Sequence, residues 1–188
     1  MRILGRPRAR FGVAAAAMLL FFLPGQACAG LFDFFGESAP RTSGRQLVMF
    51  PARVDPGTIV VRFSERRLYY VLPGQRAISY PIGAPTGEAL WSGISYVSEK
   101  RVNPNWTPTE EMRRENPTLP ASVPGGHPRN PLGVRAMYLG KTTYRIHGTD
   151  APWTVGQPVS HGCIRMLNSD VIDLYERVPI GTRVVVLW

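Results

Sequence analysis

The stretch TIVVRFSERRLYYVLPGQRAISYPI, which runs from Thr58 to Ile82, decides the fold of this chain. Short runs of β-branched, aromatic and aliphatic residues are separated there by turn-forming residues, which predicts strands joined by tight turns. The predicted strands are Thr58–Phe63, Arg67–Leu72 and Arg76–Ile82. Tyr69 and Tyr70 in the middle strand suit a pleated, half-buried surface. The stretch is therefore predicted to form an antiparallel β-meander.

Strand patterns return in the second half of the chain, at Val134–Leu139, Thr143–His147 and Thr182–Trp188. Two short helices are also predicted. The first has Thr107 as N-cap and Pro108 at its first position, and the second spans Asp170–Val178 with Asn168 or Ser169 as its cap. The fold class predicted from these patterns is mostly β with a few short helices.

The segment Asn103–Pro131 is rich in proline and, apart from the first helix, irregular. Long irregular stretches inside compact domains are usually functional lids or binding loops. We call Asn103–Pro131 the lid-like segment and expect it to contact a substrate. Trp106 is its best candidate for that contact.

Composition excludes several classes of protein. The chain has 188 residues, of which 44% are hydrophobic and 19% charged, so global disorder is excluded. With 19 Gly and 18 Pro, a long coiled coil or a helical repeat is not expected. The length corresponds to one domain that can bury a hydrophobic core.

Residues 1–29 have the pattern of a secretory signal peptide. Four arginines precede the apolar run Phe11–Leu23, and Ala27–Cys28–Ala29 resembles a cleavage site. The apolar run is shorter than the ~20 residues of a spanning helix, although an uncleaved anchor is the alternative. The division expected is a signal peptide at 1–29, a flexible lead-in at 30–50 and a catalytic domain at 51–188.

Export would change the net charge of the protein and limit the partners that it is expected to meet. Loss of the four arginines lowers the net charge from +9 to +5, because residues 1–29 contain no acidic residue. A basic exported protein suits an anionic polymer of the cell envelope, and nucleic acid is not expected as a partner. After signal cleavage no stable membrane span is expected.

Cys163 is the only cysteine that remains after cleavage at Ala29, in a compartment that oxidises thiols. It lies in Ser160–His161–Gly162–Cys163–Ile164–Arg165, and His147–Gly148–Thr149 precedes it at the end of a predicted strand. A nearby imidazole can take a thiol proton and activate the sulfur as a nucleophile. These residue types indicate acyl transfer, and spacing alone leaves either histidine as the base. Zinc bound by both histidines and the cysteine is the rival, but no standard zinc spacing is present.

The two motifs resemble the L,D-transpeptidase (YkuD-type, ErfK/YbiS/YcfS/YnhG-like) family of cell-wall enzymes. Similarity extends over about residues 57–188, through Tyr80–Gly83, Pro104–Trp106 and Asn130–Gly133. The resemblance implies a mixed β-sandwich with a few short helices and a long irregular lid-like loop. It implies no metal and no cofactor.

Roles for individual residues follow from the resemblance. Cys163 would be the nucleophile and His147 the general base, oriented by the backbone carbonyl of Gly148. The backbone amides of His161, Gly162 and Cys163 would form the oxyanion hole. Arg165 would hold a substrate carboxylate, and Ser160 would support the site by hydrogen bonding.

The implied reaction is acyl transfer on peptidoglycan stem tetrapeptides in the periplasm of a Gram-negative-type bacterium. Cys163 would form a thioester at the L-centre of the third residue and release D-Ala. The acceptor amine would be a diaminopimelate side chain, a free D-amino acid or an outer-membrane lipoprotein lysine, and carbapenems would acylate the thiol. Two alternatives stay open: a carboxypeptidase or endopeptidase on the same scaffold, and a non-catalytic wall-binding protein.

Overall fold

The computed structural model describes residues 44–188. The predicted signal peptide and the lead-in up to residue 43 lie outside the described residues. The strands are β1 (Gln46–Met49), β2 (Ile59–Arg62), β3 (Arg67–Leu72), β4 (Arg76–Pro81), β5 (Ala84–Pro85), β6 (Gly93–Val102), β7 (Arg135–Leu139), β8 (Arg145–His147), β9 (Pro158–Ser160), β10 (Ile164–Arg165) and β11 (Arg183–Leu187). The α-helices are α1 (Glu110–Glu115) and α2 (Asn168–Arg177), and 3₁₀ turns lie at Gly87–Ala89 and Pro152–Thr154.

Nine strands form one curled sheet in the order β1-β4-β3-β2-β11-β6-β7-β8-β10, and β5 pairs with β9 separately. The ten-residue strand β6 joins the two halves of this sheet. Its first residues pair with β11 and its last residues pair with β7, with an irregularity in register between Val97 and Glu99. The predicted mostly β class is confirmed.

The predicted meander is also confirmed. Strands β2, β3 and β4 pair in antiparallel register, with Val61 opposite Leu68 and Tyr70 opposite Ile78. Short apolar runs bounded by turn residues were a sufficient signal here, because β2 and β4 are buried along most of their length. Ile59, Val61 and Leu68 have no exposed surface.

The sequence patterns did not predict β6. Three residues in its second half, Glu99, Lys100 and Arg101, are charged, and only Val97 in the strand is fully buried. Such a strand is held by main-chain hydrogen bonds to neighbours on both sides. Its own side-chain pattern therefore carries little signal.

The prediction of a flexible lead-in over 30–50 is wrong at its end. Gln46–Met49 forms β1, which pairs with β4 in antiparallel register, and Phe50 is buried. Leu47 and Met49 are exposed, and Val48 alone in this strand packs against a small buried cluster that includes Phe50. Its main chain pairs with the edge of β4, whose paired residues lie 27 to 33 positions further along the chain.

Both helices differ from prediction at their first residues. The N-cap of α1 is Thr109 rather than Thr107, and its side chain accepts a hydrogen bond from the Met112 amide at 3.2 Å. Helix α2 begins at Asn168, two residues before the predicted start. Asn168 does not cap α2, because its side chain bonds to another segment that is described below.

One large core fills the space between the two halves of the curled sheet and α2. It includes residues from both halves of the sheet and two residues of the helix. Among them are Ile59, Val61, Leu68, Met137, Leu139, Ile146, Ile164, Val171 and Leu174. Within residues 44–188, no helix has the length and apolar character needed to cross a membrane.

Candidate active site

A cavity of about 160 Å³ lies where β8 and β10 meet the lid-like segment. Its lining contains six residues that the sequence singled out: Trp106, His147, Ser160, His161, Cys163 and Arg165. Met112, Pro131, Leu132 and Arg145 complete it. The two motifs, far apart in the chain, therefore share one cavity.

Parallel pairing of two short strands brings the motifs together. In the ladder between β8 and β10, His147 is opposite Arg165 and Ile146 is opposite Ile164. Both isoleucines are fully buried in the core. Because side chains alternate along a strand, the residues beside them face the cavity.

The His147 side chain is buried, and its Nδ1 lies 2.6 Å from the carbonyl oxygen of Gly148. A carbonyl only accepts, so Nδ1 carries the proton and Nε2 is left as an acceptor. Burial lowers the His147 pKa to about 3, and the charges of Arg165 and Arg145 also lower it, against the opposing effect of the Gly148 carbonyl. The imidazole is therefore neutral at physiological pH and can accept a proton.

The loop that carries Cys163 is fixed by its neighbours. Gly162 has φ of 114°, and a Cβ at this position would overlap the Tyr144 ring. Tyr144 stacks on Trp91 with ring centroids 4.8 Å apart, and Trp91 Nε1 donates to the Gly162 carbonyl at 3.2 Å. The sequence patterns indicated Gly162 but not this aromatic pair.

The main-chain groups beside the thiol differ in whether they make hydrogen bonds. The Ser160 hydroxyl donates to the Cys163 carbonyl at 2.5 Å. By contrast, no acceptor among the described residues receives the amides of His161, Gly162 or Cys163. Free amides beside a nucleophile are what an oxyanion hole requires.

The two histidines have different surroundings. The His161 side chain is 57% exposed, and its Nε2 lies 3.4 Å from Glu115 at the end of α1. His147 is buried against the carbonyl described above. Within residues 44–188, no three His, Cys, Asp or Glu side chains are grouped as a metal site requires. The geometry favours His147 over His161 as the base.

Arg165 is partly buried beside the thiol. One guanidinium nitrogen donates to Thr154 Oγ1 at 2.9 Å, and Nε is buried without a hydrogen bond in the described part of the chain. Burial lowers the pKa of the guanidinium, and the charges of Asp150 and Cys163 act in the opposite direction. Arginine keeps its charge in such surroundings, so Arg165 presents a cation to the cavity.

The lid-like segment is held together by hydrogen bonds between its own residues. Trp106 and Val123 exchange two main-chain hydrogen bonds, of 2.9 and 2.8 Å. The buried Asn130 side chain donates to the carbonyls of Pro104 and Pro124, at 2.8 and 3.1 Å. A second cavity, of about 480 Å³, shares Trp106 and Pro131 with the first. Trp106 thus borders both cavities.

Two residues that support the site were not assigned to it from the sequence. Asn168 Oδ1 accepts from the Thr149 amide at 3.0 Å, and its Nδ2 donates to the Thr149 carbonyl at 2.9 Å, which ties the residue after Gly148 to α2. Arg145 lines the cavity two residues before His147 in β8. The two-residue period of a strand is a signal that could have found Arg145.

Comparisons with known proteins agree with this geometry. The chain is 38% identical over 186 residues to the probable L,D-transpeptidase ErfK/SrfK of Escherichia coli K12, covering 95% of this chain and 57% of that protein. It is 50% identical over 153 residues to the putative L,D-transpeptidase YkuD of Bacillus subtilis, covering 77% and 76% of the two chains. The chain thus spans a little over half the length of the first of these relatives.

Solved structures show the same fold. The catalytic domain of an Enterococcus faecium L,D-transpeptidase superimposes with a TM-score of 0.54 at 22% identity, covering 72% of this chain and all of that domain. Residues 56–186 match the family model of the YkuD L,D-transpeptidase catalytic domain. The chain therefore belongs to the L,D-transpeptidase catalytic domain family.

Proposed function

We propose that this protein is an exported cysteine L,D-transpeptidase that acts on peptidoglycan stem tetrapeptides. The observation that carries the proposal is the single cavity that holds a thiol, a neutral buried imidazole and a guanidinium: Cys163, His147 and Arg165. A neutral imidazole beside a thiol supports nucleophilic catalysis, and a guanidinium supports recognition of a carboxylate.

The first half-reaction forms a thioester. Sγ of Cys163 attacks the carbonyl carbon at the L-centre of the third residue while Nε2 of His147 takes the thiol proton. The oxyanion receives hydrogen bonds from the amides of His161, Gly162 and Cys163. Collapse breaks the amide bond, and His147 returns the proton to the departing amine of D-Ala.

The second half-reaction transfers the acyl group. An acceptor amine attacks the thioester carbonyl and loses a proton to His147, which passes it to the sulfur as the thioester bond breaks. The acceptors proposed are a diaminopimelate side chain, a D-amino acid or a lipoprotein lysine. Attack by water instead would release a tripeptide and make the protein a carboxypeptidase.

The proposed place of action is the periplasm. The charge pattern and apolar run of residues 1–29 support export. N-terminal sequencing of the protein from a periplasmic extract tests this, because cleavage after Ala29 would leave Gly30 as the first residue. A protein that keeps Met1 would contradict cleavage.

Mass spectrometry of the purified protein with diaminopimelate-containing disaccharide tetrapeptide tests the reaction. We expect a product that joins two stems with loss of one D-Ala, and no product with Cys163→Ala. Tripeptide alone would support the carboxypeptidase. Absence of both products and of a carbapenem adduct on Cys163 would support a non-catalytic wall-binding protein.

A further inference from the structure

Arg145 is a second cationic residue in the active-site cavity. It lies two residues before His147 in β8, and both side chains line the cavity. The ladder with β10 pairs Ile146 with Ile164, and Arg145 and Cys163 each come one residue before this pair. Arg145 thus lies on the strand next to the nucleophile, in a position that the mechanism above does not use.

The Arg145 guanidinium has no acidic partner among residues 44–188, unlike Arg62, Arg101 and Arg177, which each form an ion pair. Its Nε is buried and makes no hydrogen bond with the described residues. The group lies over the Tyr138 ring at 5.2 Å from the ring centroid. A half-buried cation without a counter-ion that also lines an open cavity can bind an anion that enters the cavity.

The two arginines of the cavity point to different sides. Arg145 lies over Tyr138 of β7, whereas Arg165 bonds to Thr154. In the sheet β7 and β10 flank β8 on opposite sides, and the two guanidinium groups contact different neighbours. No acidic residue lines this cavity. The arrangement suits two separate carboxylates better than one carboxylate held by both arginines.

We propose that Arg145 is a specificity-determining residue, which binds the carboxylate at the end of the third residue's side chain while Arg165 binds the terminal carboxylate of D-Ala. This inference rests on the proposed function and narrows its substrate class. The preferred donor is a stem whose third residue is a diamino dicarboxylic acid with its side-chain carboxylate free. A stem with that carboxylate amidated leaves Arg145 without a partner.

Rates of D-Ala release from two tetrapeptides test the inference. The peptides differ only in whether the side-chain carboxylate of the third residue is free or amidated. We expect the wild-type protein to prefer the free acid by ~10- to 100-fold in kcat/KM, the usual range when one charged contact is lost. Arg145→Met should bring the ratio close to one, and Arg145→Lys should keep part of the preference.

Arg135→Met is the matched control. Arg135 also has a buried Nε without a hydrogen bond in the described structure, and it lies over the Tyr175 ring, but it does not line the cavity. Its variant should keep the wild-type ratio. A general effect of removing a half-buried guanidinium would change both variants and would overturn the inference.

Other outcomes separate this inference from the proposed function. Equal rates on both peptides in the wild-type protein, or a preference that Arg145→Met retains, would overturn the role of Arg145 alone. A preference that disappears in Arg165→Met and not in Arg145→Met would reassign the carboxylate to Arg165. Release of D-Ala from neither peptide would overturn the proposed function and the inference with it.

Discussion

The imidazole of His147 and the carbonyl of Gly148, its neighbour in the chain, are 2.6 Å apart. This contact fixes the ring with its second nitrogen free to take a proton. Burial keeps the same ring neutral by lowering the pKa of His147. A neutral imidazole cannot be the counter-ion of a thiolate, so the role proposed for His147 is to take the thiol proton during the reaction rather than to hold it beforehand.

The neutral imidazole of His147 predicts how alkylation of Cys163 depends on pH. The rate with iodoacetamide should fall steadily from pH 8 to pH 5, because no imidazolium ion is present to hold a thiolate at acidic pH. Mass spectrometry of the Cys163 peptide measures the rate. His127→Gln, in the exposed part of the lid-like segment, should give the same profile. A plateau below pH 6 would show a thiolate–imidazolium pair and contradict this interpretation.

Burial of His147 also predicts that the fold loses stability in mild acid. Below its ordinary pKa of 6.5 the histidine takes a proton in the unfolded chain, while the folded chain resists protonation down to a pKa of about 3. The unfolded state is therefore favoured as the pH falls. This one group should lower the free energy of unfolding by about 2 kcal/mol between pH 7 and pH 5.

Urea unfolding of the wild-type protein and of His147→Gln at both pH values isolates this effect. His127 and His161 are present in both proteins, so their contributions cancel in the comparison. The variant should lose ~2 kcal/mol less than the wild-type protein over this interval. Equal losses would mean that His147 accepts a proton in the folded state.

Gly162 is predicted to tolerate no side chain, for two separate reasons. Its φ of 114° strains any other residue, and a Cβ would overlap the Tyr144 ring. Gly156 has a similar φ of 91° with open space around it, so Gly156→Ala measures backbone strain alone. Gly162→Ala should be at least ~1 kcal/mol less stable than Gly156→Ala and should acylate with a carbapenem far more slowly. Similar values for both variants would remove the role given to Tyr144.

Local patterns were enough to predict the meander and to single out six of the residues that line the cavity. The strands between Thr58 and Ile82 are short, largely buried runs separated by turn residues, and the Ser160–Arg165 motif lies within six consecutive residues. Both signals are contained in short stretches of chain. The parallel pairing that joins β8 to β10 then brings His147 beside that motif.

Features that depend on distant partners were not predicted. Strand β1 forms on the edge of β4, and the charged β6 is held between β11 and β7. Asn168 has the residue type of a helix cap, yet its side chain bonds to Thr149. Each of these outcomes depends on which segments the fold brings together, and that information is absent from any short window of sequence.

Because Asn168 bonds to Thr149, replacing Asn168 should impair the active site, although this residue does not line the cavity. Asn168→Ala leaves the Thr149 amide and carbonyl without partners in a part-buried position, which should cost ~1–3 kcal/mol of stability. Because Thr149 follows Gly148, the orientation of His147 should also loosen and carbapenem acylation should slow. Asn116→Ala, which removes exposed bonds to Thr118, is the control and should change both quantities little. A variant with normal stability and acylation would show that α2 does not position His147.

Lys100 bonds to the carboxyl end of α2. Its replacement should lower the free energy of unfolding without changing the rate of acylation. Its ammonium donates to the carbonyls of Tyr175 and Val178, at 2.6 and 2.7 Å, at the carboxyl end of the helix. These carbonyls lack helical partners and carry the negative end of the helix dipole, so a cation on β6 joins helix and sheet. Lys100→Met should lower the free energy of unfolding by ~1–3 kcal/mol, and the exposed Lys141→Met should not. Carbapenem acylation should stay within about twofold of wild type in both, since Lys100 bonds to the end of α2 far from Asn168. A slow Lys100→Met enzyme of normal stability would instead place β6 in communication with the active site.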